Sequence, residues 1–343
     1  MATVGIVGGG IAGTAAAYGL RDSSVDAVLF EAGEALGGRM VTRERDGCVY
    51  DYGANFIKGA DDRFRTVLAE AVGEDLDTVE GTIRVFDSEG TISAGRNDQA
   101  PKYTTRDGVR GIAAAFARES GATIATDTRV GHLDRHVGGW TLSTAGGREE
   151  TVDGLILALP ASETTSLLAD ADWGQQLRDD LMVAAERVPY RPVDSVVCHY
   201  PFELDRPFYA LVSEDDGHQV GWLSREECKP GHVPDGESLL VVQLNPDWTR
   251  QHPNAETETV ETVAREGASD LLDDERLLDP DWTDHARWAS AVPNHGIDPG
   301  LVERPLSYDL ALAGDWVAGT GRTYAALQTG LEAADKIENR VLA

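Results

Sequence analysis

Along the first forty residues the apolar positions change period. Val4 to Val7 form an unbroken apolar run, glycines follow, and the alanine-rich stretch through Leu20 repeats with helical spacing, which predicts a strand, a tight turn and a helix. A second apolar run, Ala27 to Phe30, predicts the next strand. Val49 to Phe56 reads as a short strand ending in a glycine turn, and Phe64, Val67, Leu68 and Ala71 predict a helix over Asp62 to Val72. Strands are expected around Ile83 to Phe86 and Thr91 to Ser93, and Lys102 to Ser120 reads as an exposed entry followed by a helix from Gly108. Ala122 to Ala125 and Arg129 to Leu133 predict strands, a hairpin passes through Trp140, and Gly154 to Leu159 predicts a buried strand stopped by Pro160.

The pattern then changes. Helical spacing runs to Ala185, and strands are expected at Asp194 to His199, Phe208 to Val212, Val220 to Leu223 and Ser238 to Leu244. A helix follows over about Glu256 to Leu272, with loops at Pro230 to Asp235 and Leu278 to Asp281. The last segment predicts a strand at Leu310 to Ala313, the turn Gly314-Asp315, a glycine-bearing loop to Gly321 and a helix to the end. The fold class is α/β: a Rossmann-like unit with a second α+β unit built on an antiparallel sheet.

The first turn carries chemistry. Gly8, Gly10 and Gly13 stand in the G-x-G-x-x-G register, where the first allows the turn, the second admits a pyrophosphate, and the third lets helix and strand pack closely. The free N–H groups of the helix then face the phosphates. Glu31, at the end of the second strand, is placed to accept hydrogen bonds from ribose hydroxyls, which argues for an unphosphorylated 2'-hydroxyl. Gly37, Gly38 and Arg39 follow, and a rigid guanidinium suits a pyrophosphate that the helix only half neutralises.

This G-G-R continuation resembles the flavin signature of the amine-oxidase-like superfamily, which includes amine oxidases, protoporphyrinogen oxidases, carotenoid desaturases and renalases. The resemblance implies noncovalent FAD, since no cysteine stands between Asp315 and Gly330 for a flavin link. Asp51, Gly53 and Ala54 resemble the D-x-G-A element that approaches the flavin ring, and Gly314-Asp315 resembles the turn whose carboxylate meets a ribityl hydroxyl. The helix after that turn points its positive end at the flavin. The implied FAD contacts are Gly8, Gly10, Ile11, Ala12, Gly13, Glu31, Ala32, Gly38, Arg39, Met40, Gly53, Ala54, Asn55, Val130, Gly314, Asp315, Arg322, Thr323 and Tyr324. It also implies a glutathione-reductase-type FAD-binding domain from 1–80, 101–165 and 295–343, and a substrate domain from 81–100 and 166–294.

Within the superfamily the renalase-like branch is the nearest resemblance, carried over nearly the whole chain. Trp222-Leu223-Ser224-Arg225 with Lys229-Pro230-Gly231 resembles its W-x-x-x-N...K-P-G element, with Glu226 in place of asparagine. Gln243 to His252 resembles H-A-S-x-x-W-S-x-x-H, keeping Trp248 and His252 but replacing the first histidine by Gln243. His285-Ala286-Arg287-Trp288 with Ala291 resembles h-R-W-x-x-A, and Gly314-Asp315-Trp316 matches G-D-W. Ala325 departs from the usual G-A at the flavin helix. The branch implies hydride transfer from an isomeric dihydronicotinamide to flavin N5, with oxygen as acceptor. Asn55, Trp222, Gln243 and Trp288 are the candidate catalytic residues, and Glu226 and Gln243 fall in the stretch expected to select the substrate. An amine oxidase or desaturase acting on an apolar substrate, with Lys58 near the flavin, stays open, as does a flavin-binding redox sensor without turnover.

Charge adds a constraint. The 343 residues carry a net charge of -29, and the lysines are Lys58, Lys102, Lys229 and Lys336. This reads as a halophilic surface, because at molar salt the Debye length falls to about 3 Å and an acidic shell repels itself little. The field disfavours nucleic acid and anionic membranes as partners, leaving a small-molecule substrate and molecular oxygen. Cys48, Cys198 and Cys228 show no disulfide or zinc spacing, so no metal is expected. A reduced, cytoplasmic protein without a signal segment or membrane span is expected.

Overall fold

The computed structural model describes residues 1–59, 61–95, 100–169, 171 and 173–343. Small parts of both expected domains, at 60, 96–99, 170 and 172, lie outside the described residues. The first strand, Thr3–Val7, is the middle of a five-stranded parallel sheet ordered Thr123–Ala125, Asp26–Phe30, Thr3–Val7, Gly154–Leu157, Leu310–Leu312. Parallel strands are covered on both faces, and the period-two alternation sends neighbouring residues to opposite cores. Val4 and Ile6 pack beneath the helices Ile11–Gly19, Arg110–Glu119 and Thr323–Val341. Val7 packs on the other side, with Leu133, Trp140 and Leu142 of an antiparallel sheet (Val130–His136, Gly139–Thr144, Glu149–Val152) and the helices Ala161–Ala169 and Gln175–Glu186.

The second large sheet has seven strands in the order Trp282–Pro293, Tyr190–Tyr200, Ser238–Leu244, Val220–Arg225, Ala210–Ser213, Ile83–Phe86, Ile92–Ser93. Helix Thr257–Leu272 covers one face, burying Val260, Ala264, Ala268 and Leu271 against it. The expectation of a wholly antiparallel sheet needs one correction, because Ala210–Ser213 pairs in parallel with Ile83–Phe86. That strand arrives from a distant part of the chain, so no hairpin dictates its direction.

A second correction concerns Lys102. The expected exposed entry is a strand, Lys102–Thr105, held between Ile57–Lys58 and Leu76–Thr78, and Lys102, Thr104 and Thr105 are buried. Threonine suits a pleated surface, and Thr105 satisfies its hydroxyl internally by donating to the Gly108 carbonyl at 2.7 Å. The following helix begins at Arg110.

Candidate active site

The site is organised by a strap, residues 52–56, that leaves the strand Cys48–Asp51 and crosses between the two large sheets. Each strap residue is held by a different element. Trp288 donates its indole N–H to the Tyr52 carbonyl at 3.1 Å, and Gln243 donates its amide to the Gly53 carbonyl at 3.0 Å. The Ala54 N–H bonds to the Arg39 carbonyl at 3.0 Å, and Ser224 donates its hydroxyl to Asn55 at 3.3 Å. Thr323, first residue of the C-terminal helix, donates to the Phe56 carbonyl at 3.2 Å. Trp222 lies opposite Gln243 in the strand register and meets the Phe56 ring at 6.2 Å between centroids. Trp222, Gln243 and Trp288 thus converge from the second sheet on the five-residue strap that contains the fourth candidate, Asn55. A Cβ at Gly53 would lie 2.2 Å from the Arg39 carbonyl oxygen, so only glycine allows this crossing.

The glycine turn stands beside the strap. A Cβ on Gly13 would sit 1.8 Å from the Gly8 carbonyl, which fixes glycine for helix–strand contact. Gly10 is different: a Cβ there would meet only Gly37 and Gly38 atoms, at ordinary contact distances of 3.9 and 4.0 Å, so packing within the protein does not require glycine there. A pyrophosphate approaching the backbone at the helix N-terminus, beside exposed Gly38, fits that freedom. Glu31 accepts the Gly9 and Gly33 N–H groups at 2.7 Å each, which orients the carboxylate at the end of its strand and leaves lone pairs for hydroxyl donors. Arg39 forms a bidentate pair with Asp315 at 2.7 and 2.9 Å and also donates to the Ala291 carbonyl at 2.9 Å. It thus joins the nucleotide sheet, the C-terminal turn and the second sheet.

The remaining expected contacts are distributed around this centre. Ile11 and Ala12 are buried on the first helix and Met40 in the same core, and Val130 begins the strand that packs near Val28 and Phe30. Ala32 and Arg322 are exposed, Gly314 is buried, and Tyr324 meets Phe64 edge-on at 6.4 Å. Lys58 pairs with Lys102 across the small sheet. Trp248 and His252 stack on each other at 4.4 Å, and His285 and Arg287 both bind the fully buried Asp194. Burial pushes the Asp194 carboxyl up, but its hydrogen bonds to His285 and Arg287 outweigh this and hold it below the usual range.

Glu226 corrects an expectation. It does not face a substrate, because it is fully buried with Asp51 and Lys229. Lys229 Nζ lies 2.7 Å from Asp51 and 2.9 Å from Glu226, and the Asp51 N–H reaches the same Glu226 oxygen at 3.1 Å. The other Asp51 oxygen accepts the Thr42 hydroxyl at 2.6 Å and the Val109 N–H at 3.0 Å. Burial pushes the Lys229 ammonium down, yet the two carboxylates overcome it and hold it above the ordinary lysine value. Burial likewise pushes Glu226 up, and Lys229 with His232 pulls it net below. Sequence reading missed that Asp51 anchors the strap through this cluster; the signal was a lysine in a chain with only four, three positions from an unexpected glutamate.

Residues 6–71 match the NAD(P)-binding Rossmann-like domain family, and residues 79–338 match the family described as flavin containing amine oxidoreductase. The chain superposes on cyclohexylamine oxidase from Brevibacterium oxydans IH-35A with a TM-score of 0.77 at 15% identity, covering all of both chains. A reduced UDP-galactopyranose mutase gives 0.76 at 13% identity, over 99% of this chain and 97% of that one. Among curated proteins, a possible lysine-specific histone demethylase 1 of Drosophila melanogaster is 29% identical over 85 residues, 25% of this chain and 10% of that protein. A lysine-specific histone demethylase 1B homolog of Caenorhabditis elegans is 39% identical over 70 residues, 20% of this chain and 8% of that one. The chain thus matches about a tenth of the length of these curated relatives. The structural likenesses carry the fold; an oxidase and a mutase sharing it leave the reaction to the site.

Proposed function

The chain belongs to the family of flavin-containing amine oxidoreductases, an FAD-dependent oxidoreductase, and from that premise we propose that it oxidises an isomeric dihydronicotinamide, as renalase-like members of the superfamily do. The observation that carries this reading is the chemistry of the strap's neighbours. Ser224, Trp222, Gln243 and Trp288 bring a hydroxyl, indoles and an amide to the strap beside its own Asn55, and none of these side chains is a general base near neutral pH. Hydride donation needs no such base, whereas it needs a flat donor held in register. FAD held here would supply the hydride acceptor and the redox couple that oxygen reoxidises.

In this proposal Gly8, Gly10 and Gly13 with Arg39 hold the pyrophosphate, Glu31 the ribose, and Asp315 the ribityl chain. The strap backbone at Gly53 and Ala54 would lie against the flavin, and Trp222 and Trp288 would take the substrate by stacking, an aromatic pair contributing roughly 0.5–1.5 kcal/mol beyond area burial. The FAD is held without a covalent link, in a domain formed by 1–80, 101–165 and 295–343, and the acidic surface is adapted to high salt. Anaerobic mixing of the yellow protein with reductants tests the reading. The 2- and 6-dihydro isomers should bleach the flavin far faster than 4-dihydro NADH, and acid precipitation should release the flavin to the supernatant. Phe56, Tyr209 and Trp222, with centroids 6.1–6.2 Å apart, also suit an apolar or amine substrate. Rapid bleaching by an amine or polyene, with all three dihydro isomers slow, would replace the dihydronicotinamide by that class.

A further inference from the structure

Cys48, His199 and Glu237 belong to no motif, yet the fold brings them together at the end of the Tyr190–Tyr200 strand. The Cys48 sulfur, one His199 ring nitrogen and one Glu237 oxygen all lie within 4.8 Å of one another. Cys48 is fully buried and His199 only 5% exposed. The imidazole is fixed in place, stacked on Trp282 at 5.1 Å with 6° between planes. Its Nε2 lies 2.9 Å from Glu237, while Nδ1 is buried without a hydrogen-bond partner and has Asp281 at 3.6 Å. A thiol, an imidazole and the Glu237 carboxylate form a donor set of borderline softness, suited to zinc-class ions rather than magnesium or calcium, with Asp281 on the far edge of the ring.

A second group, Asp51, Glu226 and His232, lies equally close, but it already holds a cation: Lys229 Nζ sits 2.7 and 2.9 Å from its two carboxylates. Arg45, opposite Cys48 in the strand register, carries its guanidinium over the Trp282 ring at 4.5 Å and pairs with Asp46. Among the described residues, Lys229 fills the second group as an ion-pair partner of both carboxylates, and no lysine or arginine is so paired with Glu237 in the first.

We propose that Cys48, His199 and Glu237 bind one zinc-class divalent cation, with water completing the tetrahedron. Binding exchanges the thiol proton for the metal, so one proton leaves per ion bound and no redox change occurs. Cys48 opens the strand that ends at Asp51 and enters the strap, so the ion clamps this strand to the ends of two strands of the second sheet.

Cobalt is the probe, because a cobalt–thiolate bond gives a charge-transfer absorption that carboxylates do not. Titrating CoCl2 into the flavin-loaded full chain should produce that band in difference spectra, saturating at one equivalent, and ZnCl2 should abolish it. Cys48→Ser should lose the band altogether, while Cys198→Ala keeps it. Glu237→Gln keeps the shape of a partly exposed side chain and an oxygen beside His199, and should weaken cobalt binding at least tenfold. Zinc should raise the melting temperature of the wild type and leave that of Cys48→Ser unchanged. A wild type with no thiolate band, a band that survives Cys48→Ser, or equal affinity in Glu237→Gln overturns the proposal.

Discussion

Two ion clusters lie on either side of the strap and differ in access to water. Lys229 with Asp51 and Glu226 is sealed, all three side chains at 0% exposure. Arg39 with Asp315 is partly open, at 29% and 8%. The sealed cluster is closed to water, so its charges are permanent anchors, and removing Lys229 leaves two desolvated carboxylates without their cation. In the open pair, water or a bound ligand can replace either partner at modest cost. The strap is therefore fixed at its Asp51 end and meets exchangeable charges at its Arg39 end, the arrangement a cofactor site requires.

The sharpest way to break this comparison is to remove the sealed cation. Lys229→Met places a side chain of similar length between two buried carboxylates, and about 3–5 kcal/mol of stability should be lost in urea unfolding. The strap should loosen with it, lowering flavin occupancy as purified. A decrement below 1 kcal/mol would mean that the cluster is wetter than its burial implies.

Asp315→Asn tests the open pair. It keeps one acceptor for Arg39, so unfolding should lose only about 1.5–3 kcal/mol, the scale of a hydrogen bond to a charged group. Flavin affinity should instead fall by at least about tenfold, one factor of 1.4 kcal/mol, read by fluorescence titration of the apoprotein. If stability falls as far as in Lys229→Met while affinity is unchanged, the pair is an anchor and the distinction fails.

Salt sharpens the contrast further. With a net charge of -29, the wild-type melting temperature should climb from low to molar KCl as screening relieves self-repulsion. The Lys229→Met decrement should be the same at both ends, because the sealed cluster lies beyond the reach of mobile ions, while the smaller Asp315→Asn decrement should shrink. A flat wild-type profile would remove the salt-adapted reading of the surface.

The amino-acid sequence by itself determined the nucleotide-binding half. Strand, glycine turn, helix, second strand and Glu31 are contiguous, and their roles depend on backbone geometry that glycine spacing and apolar period report locally. The same holds for the Leu310–Leu312 strand, its Gly314-Asp315 turn and the helix Thr323–Val341. Only the tertiary structure decided that Asn55, Trp222, Gln243 and Trp288 share one strap, because cross-sheet register and strand order are set by packing between distant segments. It also turned Glu226 from an expected substrate-selecting residue into a sealed anchor and made Lys102–Thr105 a buried strand. Burial is a property of what surrounds a residue, and a charged or hydroxylated side chain reads as exposed until its partners, here Lys229 for Glu226 and the Gly108 carbonyl for Thr105, are brought to it by the fold.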